Sequence, residues 1–345
     1  MVGIRDVARK AGVSTSSVSL VINNSGYVSA DMREKVERAM AELHYVPNAL
    51  GRNLSQNRTG MVGVIVPTIQ HPFFATLTSH IQRELAARGL KTMLCSTVDA
   101  ETGETEYVDM LRRRTMDAII MGAHTKHDPE YWSSIGRPVV AFDRRFGGTI
   151  PSVHSNHMEG GDFIADHLIP TGIRRLVMIG GPKGQFYDRE NTAKTKISTF
   201  PTTRYYVRLA ELLDEAGIAH DYVSAGEVSD FSGYEQAVER VLSDVAHGTG
   251  EFADADAIVS SDIGAALAVQ KAASYGIAVP NRLQIVAYDG TFATKLAGRE
   301  ISAVHQDFAG IARGLVERVC ALIDGEEAND ELVPVTWQSA ETTIL

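Results

Sequence analysis

Four side chains able to grip hydroxyl groups stand where apolar runs of this sequence end: Asp143, Ser261, Asp262 and Asp289. Carboxylates and hydroxyls of this kind pair with adjacent hydroxyls of a polyol, while an aromatic face covers the CH groups of its ring; that is the chemistry of sugar binding. Asp143, Ser261 and Asp289 could supply the polar part, and Phe73 and Phe308 the apolar part. The competing role for such aspartates is to cap the next helix, and Asp262, which directly precedes one, suits that role at least as well. Other reactive sets are incomplete. His124 with His127 and His154 with His157 have i, i+3 spacing, but no third ligand or acidic partner joins them. They read as surface or loop histidines, and no metal is expected. Gly180-Gly-Pro-Lys-Gly184 fits neither common phosphate-loop pattern, and no Gly-x-Ser-x-Gly elbow or paired Cys/His signature is present. An enzyme is therefore not expected, nor a bound cofactor.

A different chemistry lies near the amino terminus. Ile4, Val7, Ala8 and Ala11 recur at helical spacing, Gly12 interrupts, and Val18, Val21 and Ile22 resume. The pattern predicts helix, tight turn, helix. Gly12 can take the left-handed conformation such a turn demands, and the Ser14 hydroxyl can accept from free amides of the next turn. With Val18, Val21 and Ile22 inward, Thr15, Ser16, Ser17 and Leu20 face outward near the N-terminal end of the second helix. That is the end such helices push into the DNA major groove, although an ordinary two-helix hairpin has the same pattern. Ser29 can cap a third helix with Met32, Val36, Met40 and Leu43 on one face. Pro47 to Leu54, and the polar run from Ser55 to Gly60, read by composition as a linker.

Elements that could position the strand-end residues follow from Met61 onward. Strands are predicted over 62–66, 91–96, 118–121, 139–142, 176–179, 257–260 and 284–287, with helices between them, including 73–88 and 104–114. Alternation of this kind implies an α/β core of parallel sheets with right-handed crossovers, and so many strands suggest two sheets. Ligands of such folds bind beyond the carboxyl ends of the strands, which is where Asp143, Ser261 and Asp289 stand.

Length and charge agree with a modular chain. At 345 residues it can hold two or three folding units. Residues 1–58 carry eight Lys/Arg against five Asp/Glu within a chain of net charge −10, so a mildly basic head precedes an acidic body. Only the head then needs to meet phosphate. Cys95 and Cys320 form neither a disulfide framework nor a zinc site. No leader-like or membrane-spanning apolar run is read, so a cytoplasmic protein without membrane contact is expected.

Two strings sharpen this. Val13-Ser-Thr-Ser-Ser-Val-Ser-Leu-Val-Ile-Asn23 with Leu43-His-Tyr-Val-Pro-Asn48 resembles the amino-terminal module of the LacI family of bacterial repressors. His71-Pro-Phe-Phe74, Asp143-Arg144, His167-Leu168, Gly181-Pro182, Ser261-Asp262, Val279-Pro280, Tyr288-Asp289 and Gln306-Asp-Phe308 resemble its effector domain, in the expected order. The resemblance implies an all-α helix-turn-helix DNA-binding head on 1–46 and a hinge helix and linker on 47–59. It also implies a periplasmic-binding-protein-like core on 60–345, made of two doubly wound parallel-sheet lobes. The N-lobe is expected to take 60–160 and 291–326, and the C-lobe 161–290 and 327–345, with crossovers near 160, 291 and 326. The implied function is a homodimeric repressor of carbohydrate genes that binds a palindromic double-stranded operator and answers to a sugar-like effector. A solute receptor of the same core, without DNA function, is the alternative.

Implied DNA contacts are Thr15, Ser16, Ser17, Leu20 and Asn23, with Leu54 as a minor-groove wedge. Gly51 in the hinge helix lowers its helical stability by about 1 kcal/mol. Implied effector contacts are His71, Phe73, Asp143, Arg144, Ser261, Asp289 and Phe308. Arg204 joins them because it lies one place from Tyr205, which occupies the position where the family often carries arginine. Further departures are Asn156-His157 in place of Asp-Asn, Val228 in place of an aromatic residue, and about fourteen extra residues between Pro182 and Leu209. Such a basic insertion could reach an anionic or larger ligand, but stretches of this kind are mostly solvated loops.

Overall fold

The computed structural model describes residues 2–23, 26–46, 58–98, 103–123, 125, 127–147, 149–187, 189–190 and 196–344. Leu54, Gly51 and most of the expected linker lie outside them. The chain divides into two compact units, Met1–Gly60 and Met61–Leu345.

In the first unit, helices α1 (Ile4–Ala11), α2 (Thr15–Asn23) and α3 (Ala30–Glu42) enclose one small core. Val7, Ala8, Val18, Val21, Val36 and Ala39 are its buried members. Asp6 folds back to accept from the Gly3 amide at 3.0 Å, closing the open end of α1. Gly12 ends that helix at φ 67°, a conformation that costs residues with a Cβ. Ser14 Oγ accepts from the Ser17 amide at 3.0 Å, and Ser29 Oγ from the Met32 amide at 3.3 Å. Each satisfies a donor that a helix start leaves unpaired.

The second unit holds two six-stranded sheets. Apolar runs without alternation, such as Met61–Val66 and Gln284–Asp289, are buried along nearly their whole length, as parallel strands covered by helices on both faces must be. The first sheet contains β1 (Met61–Val66), β2 (Lys91–Ser96), β3 (Ala118–Met121), β4 (Val139–Phe142) and β5 (Ser152–Ser155). The second contains β6 (Arg175–Gly180), β9 (Ala219–Ser224), β10 (Ala257–Ser261), β11 (Gln284–Asp289) and β12 (Ser302–Gln306). A small antiparallel pair, β7 (Arg189–Glu190) and β8 (Lys196–Ile197), lies between β6 and β9 in sequence. Two late strands complete the sheets: β13 (Glu331–Val333) pairs with β5, and β14 (Val335–Gln338) with β12. Sheet orders are β13-β5-β4-β3-β1-β2 and β14-β12-β11-β10-β6-β9, all parallel except β14.

Helices α4 (Pro72–Ala87) and α11 (Phe308–Asp324) pack on one face of the first sheet. The shorter α5 (Thr105–Arg112) and α6 (Pro129–Ser133) cover the other. On the second sheet, α7 (His157–Leu168) and α8 (Thr203–Glu215) cover one face, and α9 (Phe231–His247) and α10 (Asp262–Ser274) the other.

The chain passes between lobes three times. The first passage, at Asn156, falls near the expected 160. The other two depart from expectation. The second lies at Asp307 rather than near 291, because β12 still pairs with β11 in the second sheet while α11 buries Ile311, Leu315 and Val319 in the core of the first. The third lies at Pro334 rather than near 326, because β13 pairs with β5 of the first lobe and β14 with β12 of the second. The first sheet therefore carries strands from both ends of the unit.

Candidate functional site

On the head, α2 presents Thr15, Ser16 and Leu20 to solvent, with Leu20 38 % exposed. Ser17 and Asn23 are half-buried and committed locally: Ser17 Oγ lies 2.9 Å from Ser14 Oγ, and Asn23 Nδ2 donates to Ser19 Oγ at 3.1 Å. The outward face thus offers two hydroxyls and one isobutyl group, a surface that can touch base edges without a strong ionic donor.

In the core, a cavity of about 340 Å³ opens between the lobes beyond the carboxyl ends of the strands. His71 enters it as the N-cap of α4, its Nδ1 accepting from the Phe73 amide at 3.3 Å. Asp143 and Arg144 follow β4, Ser261 ends β10 and Asp289 ends β11. Asp143 and Asp289 both hold positive φ, 44° and 132°, so strain is stored where the carboxylates are aimed.

Two hydrogen-bonded chains tie the lobes together at the base of the cavity. In the first, His157 Nε2 lies 2.8 Å from Asp143 Oδ1 and its Nδ1 lies 2.7 Å from Tyr288 Oη. Thr202 Oγ1 donates to the second Asp143 oxygen. Burial alone would push Asp143 upward, but His157, Arg144 and Thr202 outweigh it and hold the carboxyl at about 2. In the second chain, Ser155 Oγ donates to Gln306 Oε1 at 2.6 Å, and Gln306 Nε2 donates to Asp289 Oδ1 at 2.8 Å.

Asp289 and Asp262 form an acidic pair. Asp262 accepts from the amides of Gly290 (3.1 Å) and Thr291 (2.5 Å), so it fastens the turn after β11 and does not line the cavity. Burial raises Asp262 to about 6 against the pull of these bonds. Burial and the neighbouring Asp262 charge push Asp289 well above the usual carboxylate range. Burial also lowers His71 to about 4, so it is neutral.

An aromatic wall faces these groups from the second lobe. Tyr205 stacks on Tyr288 with centroids 3.7 Å apart and planes at 7°. Tyr206 contacts Tyr205 at 3.9 Å and Tyr222 at 5.1 Å, and Phe186 contacts Tyr222 at 5.1 Å. On the first lobe, Phe73 stacks on Phe142 at 5.7 Å. Flat apolar faces on both sides and polar groups at the base suit a ring with one apolar face and hydroxyl edges.

Of the residues expected from sequence, His71, Phe73, Asp143, Arg144, Ser261 and Asp289 line this cavity. Arg204 does not: it is exposed, because on α8 it is the adjacent Tyr205 that turns inward. Phe308 does not line it either, being buried behind Phe73 with ring centroids 5.5 Å apart. His157, read as a surface or loop residue, is instead fully buried at the lobe junction. His154 is buried as well. The insertion is not simply solvated, since Gln185, Phe186, Phe200 and Thr202 from its two ends line the cavity. The tyrosine wall was missed, although the pair Tyr205-Tyr206 at the start of a helix was a visible signal.

Comparison with known proteins agrees across the chain. The profile of bacterial regulatory proteins of the lacI family matches residues 3–48. That of periplasmic binding proteins and the sugar binding domain of the LacI family matches 59–224, and that of the periplasmic binding protein-like domain matches 165–338. The sucrose operon repressor of Pediococcus pentosaceus is 32 % identical over 327 residues, covering 94 % of this chain and 93 % of that protein. The ribose operon repressor of Halalkalibacterium halodurans is 34 % identical over 292 residues, covering 84 % and 81 %. Among solved structures, a lac repressor dimer bound to operator and an anti-inducer shares the fold with a TM-score of 0.80 at 21 % identity, covering 100 % of this chain and 99 % of that one. The matched head sets aside the solute receptor. Among the described residues, no helix is long and apolar enough to cross a membrane. Its head and its two-lobed core both place this chain in the LacI family of bacterial regulatory proteins, as a DNA-binding transcriptional regulator.

Proposed function

We propose that this regulator represses carbohydrate-utilisation genes by binding a near-palindromic operator as a homodimer, and that a sugar-like effector in the interlobe cavity sets its operator affinity. The observation that carries the effector part is the cavity itself: aromatic faces from both lobes enclose buried carboxylates joined lobe to lobe through His157 and Gln306. A ligand held there contacts both lobes, so it favours one lobe angle by its differential affinity for the two arrangements. The cytoplasm is the compartment in which such a regulator meets DNA. On the head, Thr15, Ser16, Ser17, Leu20 and Asn23 are assigned to DNA, with Leu54 as the minor-groove wedge. Relatives named for sucrose and ribose operons point to the same effector class. Electrophoretic shifts of genomic fragments, with and without candidate mono- and disaccharides and at several salt concentrations, test the proposal. A salt-sensitive shift altered by a sugar is expected; no shift under any condition would refute the repressor reading.

A further inference from the structure

Two guanidinium groups stand close together across the lobe junction with no carboxylate to share. Arg145 follows β4 in the first lobe, and Arg204 lies in the first turn of α8 in the second. Their segments are fastened to one another: the Arg145 amide donates to the Thr199 carbonyl oxygen at 3.1 Å, and Thr202 Oγ1 donates to Asp143. Both arginines are exposed, and neither lines the interlobe cavity. The usual arrangement appears one helical turn further on, where Arg208 pairs with Asp162 at 2.7 Å and with Glu211 at 3.5 Å. Among the described residues, Arg145 and Arg204 have no such partner. Burial and the Arg145 charge lower the pKa of Arg204, and the acid that opposes them is Asp143. That carboxylate is already spent on His157 Nε2 at 2.8 Å and on Thr202.

His154 adds to the imbalance. It is buried, and its Nε2 lies 3.5 Å from Arg145 Nη2. Opposite a guanidinium that nitrogen can only accept, so the ring proton sits on Nδ1, which is buried without a hydrogen-bond partner. Burial holds the ring below its ordinary pKa; Asp143 pulls the other way, and the charges of Arg145, His157 and Arg204 add to burial. The first turn of α8 also carries no acidic residue to answer the positive end of the helix.

We propose that Arg145 and Arg204 form a second ligand site, outside the cavity, that takes a phosphate group between the lobes. A tetrahedral dianion presents oxygens to two planar forks at once, and charge-assisted bonds of this kind are roughly twice as strong as neutral ones. A carboxylate, with two oxygens and one charge, meets only half of that demand. Because each lobe supplies one arginine, bound phosphate favours the lobe arrangement in which the two guanidiniums stand together, a second input to the lobe angle. The site is independent of what the cavity holds.

The test titrates the full-length protein, free of DNA, with inorganic phosphate, methyl phosphate and acetate at an ionic strength held constant with chloride, read by calorimetry and by thermal midpoint. Phosphate should bind saturably and raise the midpoint, with acetate about tenfold weaker or worse. Arg145→Gln and Arg204→Gln should each weaken phosphate at least about tenfold. Neither should lower the midpoint in chloride, since each removes one of two like charges. Tighter binding of inorganic than of methyl phosphate would name the free ion as the ligand, and the reverse order an ester. No saturable binding of either, or binding that survives in the double variant, would overturn the site. Acetate binding as tightly as phosphate would overturn the ligand class, and a lower chloride midpoint in both single variants would show that the guanidiniums are already satisfied.

Discussion

Replacing His157 by phenylalanine tests the interlobe chain directly. The imidazole is fully buried and holds Asp143 at 2.8 Å and Tyr288 at 2.7 Å. Phenylalanine fills most of the space but leaves the Asp143 carboxylate without its main partner, and an uncompensated buried charge of this kind costs roughly 3–5 kcal/mol. Tyr288→Phe keeps the stack on Tyr205 and loses one hydrogen bond, about 1 kcal/mol. The two single changes remove the same His157–Tyr288 bond, so the double variant should fall short of their sum by about 1 kcal/mol. Urea unfolding followed by fluorescence supplies the assay, because Trp132 is buried in the first lobe and Trp337 packs on the second. Both reporters are needed where lobes can unfold separately. The pH arm has a definite sign. Asp143 is held at about 2 against an ordinary 3.8, so its contribution is present above 3.8 and is lost as pH falls through about 2. Without His157 that loss should begin at higher pH. Additive single effects, or a His157→Phe cost below about 1 kcal/mol, would refute the coupled buried chain.

His71 has the opposite chemistry: burial depresses its conjugate acid to about 4, so the unfolded chain protonates first and stability falls as pH drops from 6.5 through about 4. His71→Asn should lack that slope, and thermal midpoints of the two proteins compared at pH 7 and pH 4.5 should converge in acid; a constant difference would contradict it. Asp289→Asn should change ligand-free stability at pH 7 by less than about 1 kcal/mol, since burial already disfavours the charged carboxylate and the asparagine amide oxygen still accepts from Gln306. It should impair the sugar response in the operator shift, and an unchanged dose-response curve would remove Asp289 from the site. Ser14→Ala should cost the head about 1 kcal/mol by freeing the Ser17 amide, read as faster amide exchange over residues 15–22. Uracil in place of thymine in the operator half-site should weaken binding through Leu20, whose side chain offers only apolar contact to a methyl group; indifference would count against Leu20 as a reader.

The head and the order of core elements were legible because their signals are local. Gly12, Ser14 and Ser29 act within one turn of themselves, and their predicted roles are the ones seen. Uninterrupted apolar runs such as 62–66 and 284–287 announce strands buried on both faces. The second and third interlobe passages were misplaced for a non-local reason. Whether 302–306 belongs to one sheet or the other depends on its pairing with Tyr288 and Asp289 of the preceding strand, and its own apolar pattern is equally good for either.

The site divides the same way, and the two neighbours Arg204 and Tyr205 show why. Successive helical residues point about 100° apart, so an assignment off by one place exchanges a solvent-facing position for an inward one. Here the inward position holds a ring stacked on Tyr288, and the guanidinium beside it is exposed. An arginine at that place would have offered a fork of donors to the cavity; Tyr205 offers a flat face, and the polar side chains of the lining include Asp143, Asp289 and His71. His157 follows the same logic in reverse. Its spacing from His154 suggested nothing beyond a polar loop, yet a histidine in the first turn after an interlobe passage is placed to reach both lobes at once, and it bonds a carboxylate on one and a phenol on the other. The two departures from the family pattern are therefore joined through Tyr288: where an aromatic ring replaces the arginine at one end, a histidine bridges at the other, and the two meet in stacked rings and hydrogen bonds rather than at a guanidinium.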